Sequence, residues 1–422
     1  MKWAWPKELL RVLPSIYILA KRKSEFLKAR SIICYHEFFF ARMQRALGKV
    51  IYELTSEFIQ DESFNCRSLD EVIAKLRDFN GTIDRFWDTN QGADVSVAIF
   101  TLADDLAGFF PAPPQKVMVR AAEWLCEQLV ARKNCSLEDI TISVCLDESK
   151  PAFFGKKKTS NNHRTFFMEF FLPLLLLVLE CAVCDVRGTS KRQIRGGPIG
   201  APVSPPWLIL VVTLREHLWL SALESNRRDR FKTWSVARYV DNRYVLALKV
   251  AGHTELPIEL FDSKFYGETV QLEPESRSVL VGTELLIPSA EVSTMFTPPR
   301  IECRYVVMGF PSTFHQGQTI DIAHLWRYRS PFSGSSRQNL MGAFLARLHL
   351  AKRASFPTKR CEEAIARLTT VYLMMGYPNK WLCSSLERFL KAHVCTSINW
   401  KIRFLGFLRS NDTVSLHRLG GV

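Results

Sequence analysis

The feature that most restricts this chain is a pair of adjacent acids closing an apolar, β-type run. Residues 95–102 read Val-Ser-Val-Ala-Ile-Phe-Thr-Leu, the β-branched and apolar composition of a buried strand. Ala103 leads straight into Asp104 and Asp105; Pro111, Pro113 and Pro114 then stop the strand, and helical spacing resumes from Val117 to Ala131. Two carboxylates at the end of such a strand cost free energy unless something pairs them, and a divalent cation is one such partner.

A second strand-like run spans Val236 to Val250, with a polar centre at Asp241, Asn242 and Arg243. It reads as two strands joined by a tight hairpin, with Asp241 and Asn242 as the turn residues. Between the two acidic sites lies a Gly/Pro-rich turn, Arg195 to Trp207. Gly197 and Gly200 let backbone approach a neighbouring group closely, or simply form a tight turn before a helix. Ser204 is placed to cap that helix, with Pro205 where a missing N–H costs nothing. The helix then continues through Leu208, Val212, Glu216 and Leu220.

The flanks read as helical. Up to about Asp94 the chain is expected to be mainly helical, with a basic cluster at Lys21, Arg22, Lys23, Lys28 and Arg30 that reads as a solvated face or a phosphate contact. After about Ala290, amphipathic stretches run from Ser336 to Lys352 and from Lys359 to Met375. The most apolar run, Phe170 to Leu179, is far short of the roughly 20 residues a membrane-spanning helix takes, and reads as a buried helix. Lys7, Glu8 and Arg11 interrupt any signal-peptide core, so no membrane partner is expected.

Eleven cysteines without a repeating spacing do not form a disulfide framework, which points to an intracellular, reducing setting, nucleus or cytoplasm unresolved. The Cys181-x-x-Cys184 pair has no second pair nearby and reads as buried thiols rather than half a zinc site. With 56 Lys plus Arg against 42 Asp plus Glu, the chain carries a formal charge of +14. Nucleic acid is the commonest partner of such a protein, although a basic protein without that ligand fits the charge equally well. Lys156, Lys157 and Lys158, with His163 and Arg164, form a basic loop that is open to the same two readings.

Taken in order, these segments resemble the motifs of reverse transcriptases of retroelement type. Asp105-Leu-Ala-Gly-Phe-Phe110-Pro is similar to the first palm motif, Gly197-Pro-Ile-Gly200-Ala-Pro-Val-Ser204-Pro to the second, and Tyr239-Val-Asp241-Asn242 to the third. Leu272-Glu273 with Val281-Gly282 resembles the lead into the primer grip, and Arg347-Leu348 with Gly376-Tyr377-Pro378 resembles thumb regions of Penelope-like and related enzymes. The resemblance covers Val95 to Gly282 well and the flanks loosely.

The resemblance implies an α+β right-hand polymerase, with an antiparallel palm sheet flanked by helices and with helical fingers and thumb. Residues 1–94 would be fingers-like, 95–290 the palm with a fingers insertion, and 291–422 thumb-like. It implies RNA-directed DNA synthesis with two Mg²⁺ ions, Mn²⁺ also being suitable, on an RNA template with a DNA or RNA primer and deoxynucleoside triphosphates. Asp105, Asp241 and the Leu106 carbonyl would hold metal, with Asp104 as the register alternative to Asp105. Asn242 completes the third motif, and Phe110 is similar to a gate against a ribose 2′-hydroxyl, which sets aside an RNA-making palm. Gln193, Gly197, Gly200 and Tyr239 would line the substrate; Lys156, Lys157, Lys158 and Arg164 would meet nucleic acid. Three departures stand out: Asn242 replaces a second aspartate, no fingers segment is recognisable upstream of Asp105, and no nuclease or integrase segment is visible. They fit one piece of a retroelement product, or a degenerate copy that binds nucleic acid without catalysis.

Overall fold

The computed structural model of the chain describes residues 13–21, 28–35, 38, 40–59, 62–89, 97–145, 147, 150–155, 162–197, 200–223, 233–250, 258–274, 279–280, 282–287, 298–308, 310, 328–393 and 396–420. It is a mixed α/β structure with several antiparallel strand pairs. In chain order come strands β1 (Ser15–Lys21) and β2 (Lys28–Cys34), helices α1 (Ala41–Phe58) and α2 (Leu69–Thr89), strand β3 (Val97–Ala107) and helix α3 (Gln115–Lys133). Strands β4 (Thr141–Cys145), β5 (Phe153–Phe154) and β6 (His163–Phe167) lead to helix α4 (Phe171–Glu180), the hairpin β7 (Val183–Val186) and β8 (Thr189–Arg192), and helix α5 (Ser204–Ala222). Next are β9 (Trp234–Tyr239), β10 (Asn242–Val250), β11 (Gln271–Pro274), β12 (Val279–Leu280), β13 (Thr283–Leu286) and β14 (Glu302–Tyr305). Helices α6 (Arg337–Arg353), α7 (Thr358–Met374), α8 (Asn379–Ala392), α9 (Ile398–Arg409) and α10 (Thr413–Leu419) close the chain.

The chain divides into two compact units, one of residues 1–67, 105–229 and 257–273, the other of residues 68–104, 230–256 and 274–422. In the first, β1 and β2 form a hairpin in register from Ser15↔Cys34 to Lys21↔Lys28 and join β7 and β8 in the order β2-β1-β7-β8. Among the described residues the stretch to residue 94 is mainly helical, as expected, through α1 and α2, but it opens on this strand pair rather than on a helix. The β-branched and aromatic residues Ile16, Tyr17 and Ile18 face Ile33, Ile32 and Ser31 across the ladder, and Lys21 and Lys28 of the basic cluster form its last pair.

Helices α1, α3 and α5 of the same unit pack on one another. Leu47, Val50, Ile51 and Leu54 bury one stripe of α1 at helical spacing. Trp207 of α5 donates its indole N–H to the Met118 carbonyl of α3 at 2.7 Å. The run from Phe170 forms α4, but only Phe171, Leu175, Val178 and Leu179 are buried there; Phe170 is 52% and Leu176 49% exposed. Cys181 and Cys184 are buried free thiols, and burial beside the Glu180 charge pushes Cys181 up to about 11.

In the second unit α2 packs on β9, burying Val72, Ile73, Leu76, Phe79 and Ile83. Strands β12, β13 and β14 make a small antiparallel sheet. The expected amphipathic stretches appear as α6 and α7, which share a core with α8–α10 built from residues such as Phe344, Leu368, Leu386, Phe404 and Leu408. Among the described residues no helix is long and apolar enough to cross a membrane.

Candidate active site

Strand β3 carries both acids near its end, as expected, and runs on to Ala107, short of the prolines. Asp104, 2% exposed, takes both Nε (3.1 Å) and Nη2 (2.6 Å) of the fully buried Arg243 on one oxygen, Oδ2. Burial raises the Asp104 carboxyl above the ordinary range, while the charge and hydrogen bonds of Arg243 pull it back. Asp104 is thus committed to the protein interior. Strand alternation turns the next residue, Asp105, to the opposite face, where it is half-buried. Leu106 is buried, and its carbonyl accepts the Phe109 N–H at 3.2 Å.

β3 lies beside β10 in the sheet order β11-β3-β10-β9. β9 and β10 pair from Asn242↔Tyr239 to Ala247↔Trp234, so the turn is Val240–Asp241, one residue earlier than expected. With the turn there, Arg243 is the second residue of β10 and pairs with Asp104 of β3. The hairpin thereby places Val240 at φ +57, a left-handed conformation unusual for a β-branched residue and costing on the order of 1–3 kcal/mol. Arg238, fully buried, donates from Nη1 to the Val240 carbonyl at 3.0 Å and holds it there. Asp241 is half-buried, and the Asn242 amide Nδ2 donates to its Oδ1 at 2.8 Å. Tyr239, also half-buried, ends β9 opposite Asn242.

In the first unit, the glycine turn is stitched to the segment that follows β3. Gly196 donates to the Pro113 carbonyl at 2.7 Å, Gly197 to the Phe110 carbonyl at 3.0 Å, and Gln115 Nε2 to the Gln193 carbonyl at 3.0 Å. Gly196, which the motif does not single out, is crowded on more sides than either motif glycine: it sits at φ +67, and a Cβ there would lie 2.2 Å from the Phe110 oxygen and 2.6 Å from the Pro111 carbonyl carbon. At Gly200 (φ +111) a Cβ would lie 2.1 Å from the Ile33 oxygen of β2. At Gly197 it would meet the Ser204 side chain at 2.9 Å. The space a Cβ would need is filled at each position by the chain itself. Ser204 is the first residue of α5 and not its cap; Val203 precedes the helix, and the Ser204 hydroxyl packs against Gly197 without a hydrogen bond.

A cavity of about 410 Å³ opens beside this turn. Ile16, Ile33, Pro111 and Val186 give it apolar walls; Gln193 and Gly197 line it, as do the exposed Lys191, Arg192 and Arg195. Gln193 is half-buried and donates from Nε2 to the Arg195 carbonyl at 2.7 Å, while Arg192 pairs with Glu180 at 2.8 Å. The half-buried Phe110 ring stands edge-on to the buried Phe109, with centroids 5.0 Å apart.

The expected site residues thus fall into groups. Tyr239, Asp241 and Asn242 share the hairpin; Phe110, Gln193 and Gly197 share the stitched segment, and Gly200 is held against β2. Arg164 stands apart, exposed on β6 in the sheet ordered β5-β4-β6. Lys156, Lys157 and Lys158 lie outside the described residues. Arg238, Arg243 and Gly196 were not singled out as site residues; an arginine inside an apolar strand was the available signal for the first two. The donors offered by Asp105, Asp241 and the Leu106 carbonyl are all oxygen, the set Mg²⁺ prefers. Among the described residues no group of three or more His, Cys, Asp or Glu side chains converges.

No family model matches the sequence, and no curated protein matches it. Solved structures similar to this chain include a Candida tropicalis telomerase in complex with a TWJ fragment of telomeric RNA, at 12% identity and TM-score 0.46 over 97% of this chain and 59% of that one. A Candida albicans telomerase in complex with a TWJ fragment of telomeric RNA is similar at 12% identity and TM-score 0.45, over 96% of this chain and 67% of that one. The apo telomerase of Candida tropicalis is similar at 11% identity and TM-score 0.48, over 97% and 63%. The chain therefore spans about three-fifths of the length of the Candida tropicalis telomerase.

Proposed function

We propose that this chain is a reverse-transcriptase-like polymerase that extends a primer 3′-hydroxyl with deoxynucleotides on an RNA template. One observation carries the reading: the strand bearing Asp105 is the sheet neighbour of the strand that begins directly after Asp241. Asp105, Asp241 and the Leu106 carbonyl would hold Mg²⁺, and an all-oxygen set also suits Mn²⁺. Two such ions, when bound, supply activation of the primer hydroxyl and charge neutralisation at the leaving pyrophosphate.

The chain's own residues divide the remaining work. Asn242 orients Asp241 through its amide N–H. Phe110, braced by Phe109, provides the apolar surface that disfavours a ribose 2′-hydroxyl. The cavity beside Gly197, apolar within and carrying Lys191, Arg192 and Arg195, suits a base with its phosphate. The net charge of +14 adds sequence-independent attraction for RNA template and DNA or RNA primer. In this reading residues 1–94 are fingers-like, 95–290 the palm and 291–422 thumb-like.

Primer extension on an RNA template with deoxynucleotides and Mg²⁺ or Mn²⁺ tests the proposal. Extension is expected, and Asp241→Ala should lower its rate by about 1,000-fold, the several kcal/mol that metal stabilisation supplies. No extension with either metal rejects the enzyme. A second reading, a nucleic-acid-binding protein of polymerase descent without catalysis, is favoured by the Asn242 amide occupying one oxygen of Asp241. It predicts salt-dependent RNA or DNA binding that Asp105→Ala leaves unchanged.

A further inference from the structure

The ion pair of Asp104 with Arg243 has no task in the reading above, and neither residue belongs to the motifs that suggested it. Each sits next in sequence to a site residue, Asp105 or Asn242, and each points to the opposite face of its strand from that neighbour. The strands they join are poorly suited to fixing their own alignment. β3 is apolar on both faces at Ile99, Phe100 and Leu102, and β10 buries every residue from Tyr244 to Leu248. A one-residue slip exchanges the two faces of a strand, and with apolar residues on both, little opposes it. A buried carboxylate and a buried guanidinium do oppose it, because any other alignment separates them inside the protein.

We propose that Asp104 and Arg243 are a positioning pair that sets the register of β3 against β10, and so fixes where Asp105 and Asp241 present their carboxylates to metal. Arg238 extends the same device. It stands directly across from Arg243 on β9 and holds the carbonyl of Val240, the residue before Asp241. The inference rests on the polymerase reading of Asp105 and Asp241.

The test is Mn²⁺ titration of the full chain followed by electron paramagnetic resonance, with Asp241→Ala as the control that identifies the site. Thermal melting and the metal dependence of primer extension run alongside. Asp104→Asn and Arg243→Lys, which retain shape and charge respectively, should weaken the Asp241-dependent Mn²⁺ binding about 10-fold or more, the scale of a lost supporting contact. They should also raise the metal concentration for half-maximal extension. The decisive variant is Asp104→Leu/Arg243→Met, which fills the same space without charge. It should melt close to wild type and still lose Mn²⁺ affinity to the same degree. If this double variant binds Mn²⁺ within twofold of wild type, the pair is only core packing and the inference falls alone. If wild type shows no Asp241-dependent Mn²⁺ site, the polymerase reading falls and takes the inference with it.

Discussion

The arginine–aspartate pair between β3 and β10 and the one between α2 and α6 are made of the same groups at the same 2.6 Å, in opposite surroundings. Arg243 and Asp104 are 0% and 2% exposed; Arg353 and Asp70 are 48% and 58% exposed. Burial raises the Asp104 carboxyl, whereas the hydrogen bond from Arg353 holds Asp70 below the ordinary carboxylate range. The outer pair ornaments a region already stabilised by apolar burial, since α6 and its neighbours enclose Phe344, Leu348, Leu368 and Leu386. The inner pair takes the place of apolar side chains in a sheet. Its charges must therefore both be present or both be absent.

The largest expected effect follows from that difference. Arg243→Leu leaves Asp104 buried without its cation and should cost about 3–5 kcal/mol in urea denaturation. Asp104→Leu/Arg243→Met should recover most of the loss, because two apolar residues replace two charges together. A single variant costing less than about 1 kcal/mol would place the inner pair in the same class as the outer one. In the helical region the comparable disruption is a cavity. Leu386→Ala, at a fully buried position on α8, should cost about 3 kcal/mol with no second substitution able to rescue it by charge. One step down, Ser397 caps α9 by accepting the Trp400 N–H at 3.3 Å, so Ser397→Ala should cost about 1 kcal/mol in the same assay.

The two regions also differ in how far the sequence could be read. The α6 and α7 stretches announced themselves because their burial is apolar and periodic, and the structure departs from the expected bounds by a residue or two. The acid pair and the Asp241 hairpin were visible for the opposite reason, as charges where apolar residues belong. What pattern reading missed depends on partners distant in the chain. The Arg243 that follows the Val240–Asp241 turn is buried because it meets Asp104, 139 residues earlier. Gly196 is more tightly fixed than Gly197 because Phe110 backbone crosses above it. Ser204 resembled a cap, yet it enters the helix to pack on Gly197. The β1–β2 pairing escaped because the basic cluster that includes Lys21 and Lys28 was read as the face of a helix.

The smallest effect belongs to the outer pair, and its pH dependence gives the comparison its finest test. Arg353 donates to both oxygens of Asp70, from Nε at 2.7 Å and Nη2 at 2.6 Å, and the folded carboxyl is held below its unfolded value. The stabilisation is therefore fully present above the unfolded carboxylate range, near pH 4, and is lost as pH falls through the lower folded value. Because both side chains are about half exposed, solvent and salt screen the pair, and its coupling should be no more than about 0.5 kcal/mol. A double-mutant cycle of Asp70→Asn with Arg353→Gln, followed by thermal melting, should show that coupling at pH 7 in low salt and none in 1 M salt. A coupling above about 1 kcal/mol that survives 1 M salt would mean that burial is not what separates the two pairs, because solvent and salt should screen an exposed pair even where its shortest bond matches the 2.6 Å of the buried one.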